Sequence, residues 1–109
     1  MIARKLENLE QKGSIRSVDV ANVLQIRPET VSRWNLGKAF PRPEAERMLL
    51  DLEYVVERLA DLYEPDEARL WLFSRQKLLD GNVAAHLIQQ GHADKVIKVI
   101  RQIEEGVYV

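Results

Sequence analysis

The stretch SVDVANVLQIRPETVSRW, Ser17 to Trp34, reads as two short helices on either side of a turn. Ser17 can cap the first helix, and Val20, Ala21, Val23 and Leu24 face inward from it. Ala21 supplies the small residue that two crossing helices require. Pro28 suits the first position of the second helix, where its missing N–H costs nothing. Ile26 after the turn, with Val31 and Trp34 on the inner face, completes the spacing of a helix-turn-helix. Gln25 departs from that pattern, because glycine is common there. It is expected to adopt positive φ at a cost of roughly 1 kcal/mol.

The outward side of the second helix would then carry Glu29, Thr30, Ser32, Arg33 and Asn35. These side-chain types meet base edges: Arg reads guanine, Asn reads adenine, and Ser or Thr reads either. Arg27, Lys38 and Arg42 flank the helix and suit phosphate contacts, which add affinity without sequence information. All eight are candidate DNA-binding residues. A single unit binds weakly, so a homodimer on a palindromic operator is the expected form. A helical hairpin with a merely solvated polar face is the competing reading.

Outward from this segment the pattern stays helical. Ile2, Leu6 and Leu9 share one face of a first helix that stops at Gly13. Phe40-Pro41-Arg42-Pro43 is a connector, and Pro43 opens a long helix to about Tyr63. Met48, Leu49, Leu52, Val55, Val56, Leu59 and Leu62 form its apolar stripe. Pro65 restarts a helix through Leu72, in which Trp71 and Phe73 read as core aromatics. Asn82 reads as the N-cap of Val83–Gln90, Gly91 as its left-handed terminator, and a last helix spans about Ala93 to Glu105. No segment alternates as a strand does. The expected fold is all-α: an N-terminal helix-turn-helix bundle over 1–47, then a linking helix and small helical domain over 48–109.

The net charge of −1 conceals an asymmetry. Residues 1–47 carry nine Lys/Arg against six Asp/Glu, and residues 48–109 carry seven against eleven. A basic front and an acidic back suit two different partners. The chain has no cysteine, which excludes disulfides, thiolate metal sites and a cysteine nucleophile. His86 and His92 lie too far apart to share one helical turn, so no metal site is expected. Asp66 and Glu67 fit a helix N-terminus, whereas Glu104 and Glu105 oppose a C-terminal dipole and are expected to be solvated. No catalytic constellation and no phosphate-cradling loop appears, so neither an enzyme nor a cofactor is expected. With no membrane-length apolar stretch and no signal-like start, a cytoplasmic protein is expected.

From Ala68 the run ARLWLFSRQKLLDGNVAAHLIQQGHADKVIKVIRQIEEGVYV resembles the C-terminal toxin-binding domain of the MbcA/ParS/Xre antitoxins. The matching elements are Trp71-Leu72 with Phe73-Ser74, the Leu78-Leu79 pair, Asp80–Gly91, and the ending from Ile103 to Val109. An Xre-like helix-turn-helix ahead of this block is the family's usual arrangement. The loop between Ser74 and Leu79 departs from the pattern, being shorter and more charged, and is closer to the compact MbcA type.

The resemblance implies a RES-domain toxin partner that consumes NAD, blocked by insertion of the antitoxin's C-terminus into its active site. It also implies repression of the operon and a higher-order toxin–antitoxin complex. Val107, Tyr108 and Val109 become the candidate toxin-binding residues. Tyr108 joins an apolar ring to a polar tip, and a terminal carboxylate can meet basic groups in a nucleotide cleft. The alternative is a stand-alone helix-turn-helix regulator whose C-terminal half dimerises or senses a ligand.

Overall fold

The computed structural model describes residues 2–106, which form seven helices and one small sheet. The helices are α1 (Ile2–Gly13), α2 (Ser17–Leu24), α3 (Pro28–Asn35), α4 (Pro43–Ala60), α5 (Pro65–Phe73), α6 (Ala84–Gln89) and α7 (Ala93–Glu104). The fold is mostly helical, as expected. Its exception lies between α5 and α6, where β1 (Arg75–Gln76) pairs antiparallel with β2 (Asn82–Val83).

That hairpin corrects two expectations. Two-residue strands are too short to show alternation, so nothing in the pattern announced them. Asn82 does not cap α6, because Val83 holds the cap position. Its amide instead donates to the Leu79 carbonyl at 2.8 Å, closing the turn behind the 3-10 segment Lys77–Leu79.

α4 is the centre of the packing. Leu49, Leu52, Val55, Val56 and Leu59 recur at helical spacing and are all buried. Met48 is half-buried, while Leu62 lies beyond the helix end and is exposed. Around α4 one apolar core runs from Leu6 and Leu9 of α1 to Val96 and Ile100 of α7.

Gly13 ends α1, but its service is close approach rather than a left-handed turn. A Cβ there would sit 2.8 Å from Cγ1 of Val56. The left-handed conformation falls on Ser14 (φ 52°), whose N–H donates to the Glu10 carbonyl at 3.0 Å. Ser17 is likewise not the cap of α2. Arg16 holds that position, and the Asp19 carboxylate accepts its backbone N–H at 2.9 Å. No described helix is long and apolar enough to cross a membrane.

Candidate functional site

α3 is a short helix clamped from beneath. Val31 and Trp34 are buried in the core, and Pro28 occupies its first turn. The turn ahead of it closes on Gln25, which takes the left-handed conformation (φ 58°, ψ 45°) its position demanded. The Ile26 N–H donates to the Ala21 carbonyl at 2.9 Å, and Ala21 is fully buried where α2 and α3 meet. At the other end Gly37 is left-handed (φ 73°), and the Lys38 N–H returns to the Arg33 carbonyl at 2.9 Å. Both ends of the helix are therefore tied before any ligand arrives.

On this platform the structure brings most of the eight candidate DNA-binding residues to the surface. Glu29, Ser32, Arg33 and Asn35 on α3 are exposed, as are Arg27, Lys38 and Arg42 beside it, while Thr30 is half-buried. Among the described residues none of these four cations joins a salt bridge. Asn35 reaches the rim of an open cavity of about 290 Å³ between α1 and α2, which Ser17 and Arg16 also line. Exposed cations with no internal carboxylate partner are what phosphate contacts need.

The C-terminal half presents other chemistry. Glu67 accepts the Glu64 N–H at 3.0 Å, as a first-turn acid should. Asp66 instead takes the Ser14 hydroxyl at 2.6 Å, joining α5 to the end of α1. Trp71 and Phe73, read as core, are only half-buried. The Arg69 guanidinium lies 5.2 Å from the Phe73 ring centroid, a cation–π distance. Glu104 is a further correction: it is half-buried and paired with Arg58, because α7 packs along α4 and brings its last turn to that guanidinium. Candidate toxin-binding residues Val107, Tyr108 and Val109 lie outside the described residues.

Sequence reasoning missed the strongest polar contact between the two halves. Arg69 of α5 donates to both oxygens of Asp19 on α2, one at 3.1 Å, and to the Ser14 carbonyl at 3.0 Å. Asp19 is the one charged residue that is buried among those described. Burial pushes its carboxyl up, but the Arg69 hydrogen bonds, the Arg16 N–H and the charges of both arginines outweigh that. The group is held below its ordinary value. Beside this pair, the Gln89 amide donates to the Asn22 carbonyl at 3.2 Å, tying α6 to α2. An aspartate on α2 and an arginine fifty residues later carry no local signal of their pairing. Among the described residues no three acidic, histidine or cysteine side chains gather as for a metal ion.

No family model matches the chain. Among curated proteins it is 32% identical over 91 residues to the mycobacterial cidal antitoxin MbcA of Mycobacterium tuberculosis and of Mycobacterium bovis. That alignment covers 84% of this chain and 80% of the relative. A probable mycobacterial cidal antitoxin of M. tuberculosis is 30% identical over 95 residues, covering 87% and 81%. A chain in the crystal structure of the M. tuberculosis MbcT–MbcA toxin–antitoxin complex superposes with a TM-score of 0.87 at 28% identity. The superposition covers 100% of this chain and 98% of the other. The relatives are named as antitoxins, which are not enzymes, and the chain belongs to the family of the mycobacterial cidal antitoxin MbcA.

Proposed function

We propose that this chain is the antitoxin of a two-component system that neutralises a RES-domain, NAD-consuming toxin. Val107, Tyr108 and Val109 enter the toxin's active site, and α2 with α3 forms a helix-turn-helix that represses the operon. The division of labour follows the proposed domains: 1–47 reads operator DNA as a homodimer, and 48–109 holds the toxin in a higher-order cytoplasmic complex. One observation carries the reading, namely that nearly the whole chain superposes on a chain from a toxin–antitoxin complex. The exposed cations around α3 support the DNA-binding half. Gly106, left-handed at φ 70° after α7, supports the other, because a left-handed glycine ends the helix there.

Co-expression tests the toxin half. Cells expressing the cognate RES-domain toxin should grow with the full chain and stop growing when Gly106–Val109 is deleted. The deletion should leave operator binding unchanged in a gel-shift titration. Protection by the deleted form would remove the tail from the mechanism. A stand-alone regulator would show no growth difference between the two forms.

A further inference from the structure

The outward side of α5 carries an apolar groove that lies apart from the α3 surface. Glu67, Leu70 and Trp71 of α5 recur at helical spacing and line it together with Tyr63, Ser74 and Gln76. Its volume is about 360 Å³. Leu70 is 70% exposed on its wall. The groove is preformed. The Gln76 amide donates to the Trp71 carbonyl at 2.9 Å, and Gln76 is itself fixed by the pairing of β1 with β2.

Charge identifies the occupant. Among the described residues Glu67 is the one charged residue lining the groove, and it shares the exposed start of α5 with Glu64 and Asp66. Among the described residues, neither Glu64 nor Glu67 joins a salt bridge. Of the two cations between Glu64 and Gln76, Arg69 is bound to Asp19 and Arg75 is directed to the Gly81 carbonyl at 3.4 Å. DNA is repelled by such a rim. A second copy packed face to face would set these glutamates against their own images, a like-charge arrangement that opposes association.

We propose that this groove is a second docking surface for the toxin, separate from the C-terminal residues, and that it receives an apolar side chain flanked by Lys or Arg. This rests on the antitoxin reading. A desolvated aliphatic anchor beside a complementary rim charge is the usual build of an interface hot spot.

The test measures binding of the full chain to a catalytically inactive form of its cognate RES-domain toxin. Leu70→Arg should weaken binding about 30-fold while the melting temperature stays within a few degrees. Glu64→Lys should weaken it less, with a shallower salt dependence. In the form lacking Gly106–Val109, the remaining affinity should vanish on adding Leu70→Arg. Wild-type affinity for Leu70→Arg would overturn the groove and leave the antitoxin reading standing. Failure of the unaltered chain to bind at all would overturn both. If Leu70→Arg instead splits a dimer in sedimentation with toxin affinity intact, the groove belongs to a second copy and the proposal is wrong.

Discussion

α3 and α5 are built alike and finished differently. Each opens with a proline, Pro28 or Pro65, and each seats two side chains in the core: Val31 and Trp34 in one, Ala68 and Leu72 in the other. Outward, α3 shows Glu29, Ser32, Arg33 and Asn35, whereas α5 shows acids and the bare Leu70. Inward there is a second difference. α3 rests on apolar packing, while α5 adds the bidentate pair from Arg69 to Asp19. Packing of this kind tolerates any outward chemistry, so the outward side chains mark the partner. The ion pair does something else: it ties the helix that supports α3 to the half proposed to hold the toxin.

Breaking that tie should have the largest effect. Arg69→Ala leaves a buried carboxylate without its cation, and removing one partner of a fully buried pair costs about 3–5 kcal/mol. A third of the Arg69 side chain remains in water, so about 2–3 kcal/mol is expected from urea unfolding at neutral pH. The pH dependence follows from the lowered Asp19 carboxyl. A depressed carboxylate stabilises the fold fully above its ordinary value of 3.8 and loses that contribution as pH falls through the lower folded value. Below that pH the variant and the unaltered chain should therefore converge. A constant gap in stability from pH 7 down to acid unfolding would show that Arg69 acts through its packing on Phe73 instead.

The same contrast explains what was legible in the sequence. Periodicity placed every α-helix because each buries a face, and α4 wears its stripe openly from Leu49 to Leu59. The left-handed Gln25 was legible too, since the spacing from Ala21 to Ile26 leaves the chain no other way round the corner. Contacts that join distant segments were not. Asp19 with Arg69 and Arg58 with Glu104 are separated by 50 and 46 residues, and each residue alone looks like an ordinary surface charge. The hairpin at Gln76 and Asn82 escaped because two-residue strands have no period. Candidate residues on α3 were readable as types at outward positions, whereas the groove beside Leu70 required the hairpin that shapes it.

Changes confined to the outward side of α3 should separate binding from stability. Arg33→Ala is expected to cost about 1–3 kcal/mol on the chain's own operator, measured by fluorescence anisotropy across a salt series. Folding stability should move by no more than about 0.5 kcal/mol, because Arg33 is exposed and makes no salt bridge among the described residues. A loss shared equally by unrelated DNA would assign Arg33 to phosphate, and an undiminished affinity would take it off the DNA.

The smallest effect is expected at the turn that sets α3 in place. Gln25 holds φ 58° with its side chain exposed, so its left-handed backbone costs about 1–2 kcal/mol with no buried contact in return. Glycine removes that cost but adds about 0.5–1 kcal/mol of backbone entropy lost on folding. Gln25→Gly should therefore stabilise the chain by about 0.5 kcal/mol, seen as a small rise in the urea midpoint with an unchanged slope. Operator affinity should stay constant, because the Ile26 N–H bond to Ala21 that fixes the turn is made by backbone atoms alone. A destabilised variant would mean that the Gln25 side chain braces the turn. Weaker operator binding at unchanged stability would mean that it reaches the DNA, and the reading surface would then begin one turn earlier than Arg27.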